Sequence, residues 1–173
     1  MPILTPGDSF PEIILPKVGG GELSLSAAAA DKFLLVIVYR GLHCPKCKEQ
    51  LTEVQDKLDQ LKGAGISPVA ISMDGEDRGE QTRTKWDIET FPVGYGLSQS
   101  AAQQMGLFLS ISEFEQEPDF FAEPGLFLIR PDNSLYAAFI QSTPFARPPL
   151  QDIISAAKFV AEKDYPARGT FDG

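Results

Sequence analysis

Apolar residues change their spacing along this chain, and each spacing predicts a different kind of element. The run from Phe33 to Tyr39 is apolar throughout and rich in β-branched residues, which is typical of a strand buried on both faces. From Cys44 the apolar positions recur every three or four residues, which predicts an amphipathic helix that ends at Gly63 and Gly65. These positions are Leu51, Val54, Leu58 and Leu61.

A second buried strand is predicted from Ile66 to Ser72, so that this region forms a βαβ unit. Two later apolar runs, from Leu126 to Arg130 and from Leu135 to Ile140, flank a turn and should pair as an antiparallel hairpin. A last helix is predicted from Leu150 to about Lys163, because its apolar residues lie on one side.

The segments between these runs are shorter or more polar. Near the start we expect short extended pieces from Glu12 to Leu15 and from Glu22 to Leu25, and helical propensity in the alanine run that Ser26 opens. Further predictions are a polar loop from Asp74 to Gly79, a helix from Glu80 to Thr90, a strand from Phe91 to Tyr95, a helix from Ser98 to Met105 and an irregular acidic stretch from Glu113 to Glu123.

This order of elements is βαβ, an insertion, then ββα. It predicts an α/β fold in which helices flank a central mixed β-sheet, with an N-terminal extension and a mid-chain insertion. The 173 residues suit one domain, and because we find no repeat or long linker we expect a single domain over residues 1–173.

Composition and charge narrow the range of partners. The net charge is −9, which argues against nucleic acid or an anionic membrane as the main partner, because both require a positive surface. The longest apolar run is far shorter than the roughly 20 residues of a membrane span. Because the first residues lack a basic and then apolar leader pattern, we expect a cytoplasmic protein.

Both cysteines and the only histidine lie between His43 and Cys47. Cys44 stands where a buried strand ends and a helix begins, and Pro45 suits the first helical position, so Cys44 is predicted to be the N-cap. Free backbone N–H groups and the positive end of the helix dipole favour a thiolate there. Arg40, Lys46 and Lys48 add positive charge, so we expect a pKa near or below neutral for Cys44.

Cys47 lies one helical turn after Cys44 and on the same face, where it should be the less exposed of the two. After Cys44 has been oxidised or holds a mixed disulfide, Cys47 can attack it and close an intramolecular bridge. The spacing therefore predicts that Cys44 attacks and Cys47 resolves.

Other interpretations of the same residues remain open. The two cysteines could be buried core thiols. They could also be part of a zinc site with His43, but structural zinc takes four ligands and no second cysteine or histidine pair exists. For His43 we favour a loop residue that tunes the charge of its neighbour, because adjacency does not place its ring against the Cys44 sulfur.

Several segments, in their order, resemble the alkyl hydroperoxide reductase/thiol-specific antioxidant family of peroxiredoxin-like proteins, which have the thioredoxin fold. They are GDSFPEIILP, GGGELSLS, FLLVIVYRGLHCPKC, FPVGYGLSQSAAQQMGL and PGLFLIRPDNSLY. The resemblance runs from about Gly7 to the last helix. It implies an antioxidant thiol oxidoreductase in which Cys44 is the attacking cysteine. The Cys-Pro-Lys-Cys spacing is also similar to that of glutaredoxins.

Three positions depart from the family's pattern. The family has threonine three residues before the attacking cysteine and proline seven before it, where this chain has Gly41 and Ile37. Pro124 stands where the family has an arginine beside the thiolate. Thioredoxins have a proline there, with a cis peptide that faces the redox pair, so Pro124 either shapes a groove for a partner's disulfide or simply starts a strand. Arg40 is a candidate to replace the missing arginine.

We therefore predict a thiol-dependent oxidoreductase that needs no cofactor and reduces peroxides or disulfides through Cys44 and Cys47, with a thioredoxin or glutathione system as reductant. The missing threonine and arginine favour disulfide exchange over peroxide reduction. The alternative is a non-enzymatic copper carrier that uses the same thiols. Phe114, Phe120 and Phe121 lie in an otherwise solvated acidic stretch, where they either anchor the loop or contribute to a homodimer.

Overall fold

The computed structural model describes residues 4–26 and 30–171. Its helices are α1 Pro45–Asp56, α2 Leu58–Gly63, α3 Glu76–Trp86, α4 Gln99–Gln104 and α5 Leu150–Lys163. Its strands are β1 Ile14–Pro16, β2 Glu22–Ser24, β3 Phe33–Val38, β4 Ile66–Ile71, β5 Val93–Gly94, β6 Leu109–Ile111, β7 Phe120–Ala122, β8 Gly125–Ile129 and β9 Leu135–Ile140. The alanine run after Ser26 lies largely outside the described residues.

The central sheet has the strand order β5-β4-β3-β8-β9. Strands β3, β4 and β5 are parallel, whereas β8 pairs antiparallel with both β3 and β9, so the sheet is mixed as the sequence predicts. The βαβ unit and the last hairpin are confirmed. All six residues of β3 are buried, because the strand lies at the centre of the sheet and is covered on both faces.

Two layers cover the sheet. One apolar cluster joins it to α1, α2 and α5 and includes both cysteines, Leu51 and Ile154. The other joins the opposite face to the β1–β2 hairpin and α4, through residues such as Leu15 and Ala102. The segment with both cysteines therefore lies after the carboxyl end of the central strand β3, between the sheet and helix α1.

The structure corrects three boundaries. The helix after Cys44 is interrupted at Lys57 and continues as α2. Helix α3 begins at Glu76, within the predicted loop, and ends at Trp86 rather than Thr90. The acidic stretch is not irregular throughout, because β7 lies in it and pairs antiparallel with β6 in a small separate sheet. The predicted helix α5 is confirmed at both ends.

Candidate active site

Cys44 occupies the N-cap of α1, as the sequence predicts. Its backbone is extended, with φ −102° and ψ 106°, and Pro45 is the first helical residue. The Cys44 sulfur accepts the backbone N–H of Cys47 at 3.3 Å. It therefore satisfies one of the free N–H groups at the helix start and lies at the positive end of the helix dipole.

Cys47 lies directly beside this sulfur, and its thiol donates a hydrogen bond to Cys44. The backbone N–H of Arg40 in turn donates to Cys47 Sγ at 3.4 Å. Burial, and then the hydrogen bond to Cys44, raise the pKa of Cys47 well above its ordinary value. Cys47 therefore keeps its proton while Cys44 ionises, and both cysteines are free thiols in the structure.

Arg147 also reaches the cysteine pair, and the sequence analysis did not identify it. It lies in the loop before α5, with Nη2 at 3.0 Å from Cys47 Sγ and 3.8 Å from Cys44 Sγ. Its other partners are Gln50 Oε1 at 2.7 Å and the Pro144 carbonyl at 2.9 Å. No carboxylate is among these partners within the described part of the chain, so the guanidinium charge acts on the two sulfurs.

Arg40 also contacts Cys44 and donates a hydrogen bond to its sulfur. Its Nε lies 3.0 Å from Glu123 Oε2 and its Nη2 lies 3.7 Å from Glu117 Oε1. The guanidinium also lies over the ring of Phe121, 4.7 Å from the centroid. Arg40 is therefore fixed beside Cys44, with its charge shared between Cys44 and two carboxylates. Its role as a replacement for the family's arginine stays a prediction.

These contacts lower the pKa of Cys44 to about 6. The largest cause is the hydrogen bond from the Cys47 thiol; burial opposes it, and the Cys47 N–H, Arg40 and Arg147 then lower the pKa further. The charge comes from the two arginines. Lys46, which the sequence also proposed, forms an ion pair with Glu49 at 3.1 Å on the surface.

His43 packs its ring edge-on against Phe121, with centroids 4.8 Å apart. Its two nitrogens are buried and have no hydrogen-bond partner among the described residues. Burial, followed by the charge of Arg40, lowers the pKa of His43, so the ring is neutral near pH 7. His43 is therefore a loop residue whose ring contacts the antiparallel pair β6–β7, called the β6–β7 hairpin below. Phe121 anchors this hairpin on both His43 and Arg40.

The acidic stretch is a solvated surface only in part. Glu123 is 4% exposed and accepts a hydrogen bond from Ser110 Oγ at 2.6 Å in addition to its ion pair with Arg40. Phe114 and Phe120 remain exposed, so a role for them in a homodimer stays a prediction.

Both cysteines are almost fully buried, and Cys47 is the less exposed of the two, as the sequence predicts. Cys44 is 1% exposed and Cys47 0%, so the attacking cysteine is not an open surface thiol. Two cavities flank the site, one of about 400 Å³ lined by Arg40, Phe114 and Phe121 and one of about 370 Å³ lined by Arg147 and residues of α1. Neither cysteine is among the residues that line these two cavities.

The three departures from the family's pattern have visible physical settings. Gly41 has φ +139°, and a Cβ there would lie 2.8 Å from Asp74 Oδ1, so threonine does not fit this backbone. Ile37 is a buried residue of β3. Pro124 directly precedes β8, and the described residues contain no cis peptide bond, so the hypothesis of a thioredoxin-like cis proline is wrong.

Within residues 4–26 and 30–171, no three histidine, cysteine, aspartate or glutamate side chains are grouped as metal ligands would be. The copper-carrier alternative is not supported by any of the comparisons.

Among the helices that the structure describes, none has the length and apolar character needed to cross a membrane.

Comparison with known proteins agrees with the geometry. The family model described as "AhpC/TSA family" matches residues 6–138. The chain belongs to this family. A Mycobacterium tuberculosis protein named as a peroxiredoxin is 34% identical over 92 residues, which are 52% of this chain and 56% of that protein. Peroxiredoxin Bcp of Escherichia coli K12 is 31% identical over 75 residues, 43% of this chain and 47% of Bcp. The chain spans about half the length of the curated relatives it matches.

Solved structures of AhpC/TSA-like proteins share the whole fold. AhpC of Mycobacterium bovis has a TM-score of 0.76 at 15% identity and covers 99% of each chain. Peroxidoxin BcpB of Mycobacterium tuberculosis has a TM-score of 0.72 at 18% identity and covers 91% of this chain and 97% of its own. At such identities the likeness establishes the fold alone, and it confirms the predicted thioredoxin-like α/β architecture.

Proposed function

We propose that this protein is a thiol peroxidase in which Cys44 reduces a hydroperoxide and Cys47 then closes a disulfide. One observation carries the proposal. The Cys44 sulfur lies at a helix N-terminus, in contact with the guanidinium groups of Arg40 and Arg147 and in hydrogen-bond contact with the Cys47 thiol. This is the arrangement of a stabilised thiolate with a second thiol ready to react.

In the first step the Cys44 thiolate attacks the terminal oxygen of a hydroperoxide, R–O–O–H. An S–O bond forms and the O–O bond breaks, so that sulfur is oxidised to sulfenic acid and the other peroxide oxygen leaves as the alkoxide RO⁻, which takes a proton from water to give the alcohol ROH. Negative charge develops on the departing oxygen. The guanidinium groups of Arg40 and Arg147 are in place to stabilise that charge.

In the second step the sulfur of Cys47 attacks the sulfenic sulfur of Cys44. An S–S bond forms, the S–O bond breaks, and water leaves with the proton of the Cys47 thiol. The two side chains already touch through their hydrogen bond, so closure needs only a short movement. A dithiol of the thioredoxin type, or glutathione, would return two electrons and two protons in a reducing compartment such as the cytoplasm.

The geometry supports peroxide over a protein disulfide as substrate. The missing threonine and arginine of the family's pattern favour disulfide exchange, but Arg147 supplies a donor beside the Cys44 sulfur. In addition, Cys44 is 1% exposed, which suits a small peroxide better than a disulfide that must align with the attacking sulfur.

Peroxide consumption and disulfide reduction can be compared directly in one set of proteins. Wild type and Cys44→Ser are assayed for hydroperoxide loss coupled to a thioredoxin system, and separately for reduction of insulin disulfides. We expect peroxide consumption in wild type that Cys44→Ser abolishes. Unchanged rates in Cys44→Ser would overturn the catalytic assignment, whereas insulin reduction without peroxide consumption would replace peroxidase by disulfide reductase.

A further inference from the structure

A buried carboxylate from another part of the chain holds the loop that leads to Cys44. Asp74 follows β4 and is 3% exposed. Its Oδ2 accepts the backbone N–H of Leu42 at 2.8 Å, and its Oδ1 accepts Arg78 Nε at 3.0 Å. The carboxylate therefore joins the active-site loop of residues 40–43 to the start of α3.

Asp74 is itself fixed by its backbone. Its N–H donates to Ser72 Oγ at 3.3 Å, and its carbonyl accepts the N–H of Gly96 at 2.8 Å. Ser72 is fully buried directly after β4. The carboxylate thus has little freedom to move, and it holds the loop of residues 40–43 near the carboxyl end of β4.

Gly41 fits against this carboxylate and could not be another residue without strain. Its φ of +139° lies outside the range that side chains favour, and an added Cβ would meet Asp74 Oδ1 at 2.8 Å and Oδ2 at 2.9 Å. The Gly41 carbonyl accepts the N–H of Cys44 at 3.1 Å. A continuous set of contacts therefore runs from Asp74 through Gly41 and Leu42 to the backbone of Cys44.

We propose that Asp74 is a positioning residue for the nucleophile: by holding Leu42 and Gly41 it keeps Cys44 at the helix N-terminus and Arg40 beside the sulfur. It acts through the loop and touches neither the substrate nor the thiolate. The inference rests on the proposed function only in taking Cys44 as the nucleophile. The charged or titratable groups around Asp74 are Arg78, which pairs with it, and the neighbouring His43 and Tyr39.

The direction in which the pKa of Cys44 changes when Asp74 is removed separates positioning from a direct charge effect. If Asp74 acted on Cys44 only through its negative charge, its removal would favour the thiolate and lower the pKa of Cys44. If Asp74 positions the loop, its removal separates the sulfur from the Cys47 N–H and from Arg40, and the pKa rises. A purely structural role would change stability and leave the pKa of Cys44 where it is.

The test measures the alkylation rate of Cys44 with iodoacetamide against pH in the Cys47→Ser background, where Cys44 is the only cysteine. We expect Asp74→Ala to move the midpoint upward by about one pH unit or more, and Asp74→Asn to move it less because an amide oxygen still accepts the Leu42 N–H. Asp77→Asn, which removes an exposed charge from the first turn of α3, should leave the midpoint in place. An unchanged or lower midpoint in folded Asp74→Ala would overturn the inference.

If Asp74→Ala does not fold, Gly41→Ala, whose added Cβ would meet the Asp74 carboxylate, gives the same decision: an unshifted midpoint rejects positioning. Gly41→Ala should also raise the midpoint, and it should add little in combination with Asp74→Ala because both act on one contact. The proposed function fails separately, if Cys44→Ser retains peroxide consumption. An inactive Cys44→Ser with an unshifted Asp74 variant would reject the positioning role alone.

Discussion

Arg147 places its Nη2 3.0 Å from Cys47 Sγ and 3.8 Å from Cys44 Sγ, although it follows Cys44 by 103 residues in the sequence. It reaches the pair from the proline-rich loop before α5, where Gln50 and the Pro144 carbonyl orient its guanidinium. The family's usual arginine is missing at position 124, and Arg147 and Arg40 provide the positive charge in its place. The site is therefore completed by tertiary structure rather than by the motif alone.

Arg147→Gln should lower kcat/KM for hydroperoxide by about 10²-fold, because a donor to the developing negative charge is removed. Arg147→Lys should recover only part of this loss, since an ammonium group cannot bond Gln50 and the sulfurs in the same fork-like geometry. Steady-state peroxide consumption measures both. Arg168→Gln is the matched control, because Arg168 is an exposed arginine that bonds Tyr165. Equal loss in Arg168→Gln, or none in Arg147→Gln, would contradict this role.

Cys47→Ser should react once with peroxide and then stop. The sulfenic acid formed on Cys44 has no second thiol in the chain to attack it, so no intramolecular disulfide forms. A sulfenic-acid probe and mass spectrometry should detect one oxidised sulfur per chain, whereas wild type should lose the mass of two hydrogens. Continued turnover in Cys47→Ser with the thioredoxin system would show that another thiol resolves the intermediate.

Glu123→Ala should destabilise the protein by about 3 kcal/mol, because it leaves the partly buried Arg40 without its closest carboxylate. Urea unfolding at fixed pH measures the free energy of unfolding. Glu115→Ala removes an exposed acidic residue from the same stretch and should change stability by less than about 0.5 kcal/mol. If the two variants are equally stable, the Arg40–Glu123 pair does not hold the β6–β7 hairpin against the loop that leads to Cys44.

The parts of the fold that the sequence predicted are those whose apolar pattern is strong. β3 is apolar throughout because it is buried on both faces, and the boundaries of α5 follow from one apolar side that packs on the sheet. Cys44 and Pro45 mark the start of α1 because a cap and a first-turn proline have local physical causes.

Other elements lack such a signal. α3 buries only Gly79, Thr82 and Trp86, so its sequence shows no aliphatic stripe that would predict a helix from Glu76. The strands β6 and β7 are three residues each, too short for alternation to stand out. The break at Lys57 is invisible because the apolar spacing continues across it.

Arg147 could not be found from the sequence for a different reason. An arginine in a proline-rich loop carries no local mark of its neighbours, and only the packing of α5 against the sheet brings the loop to the cysteines. The contacts of Phe121 with His43 and Arg40 have the same origin, since the pairing of β6 with β7 brings a distant part of the chain to the residues before Cys44.

The pKa of the Cys44 thiol tests the central claim most directly. It is measured in Cys47→Ser, whose hydroxyl can still donate to the sulfur, as the rate of alkylation from about pH 4 to 10. Because the folded-state pKa of about 6 lies below the ordinary thiol value, the thiolate should be present above pH 6 and lost as the pH falls through it. The rate should therefore rise through a midpoint near 6 and level off by neutral pH. A midpoint at or above about 8.5, the value of an unperturbed thiol, would show that the helix terminus and the two arginines do not activate Cys44.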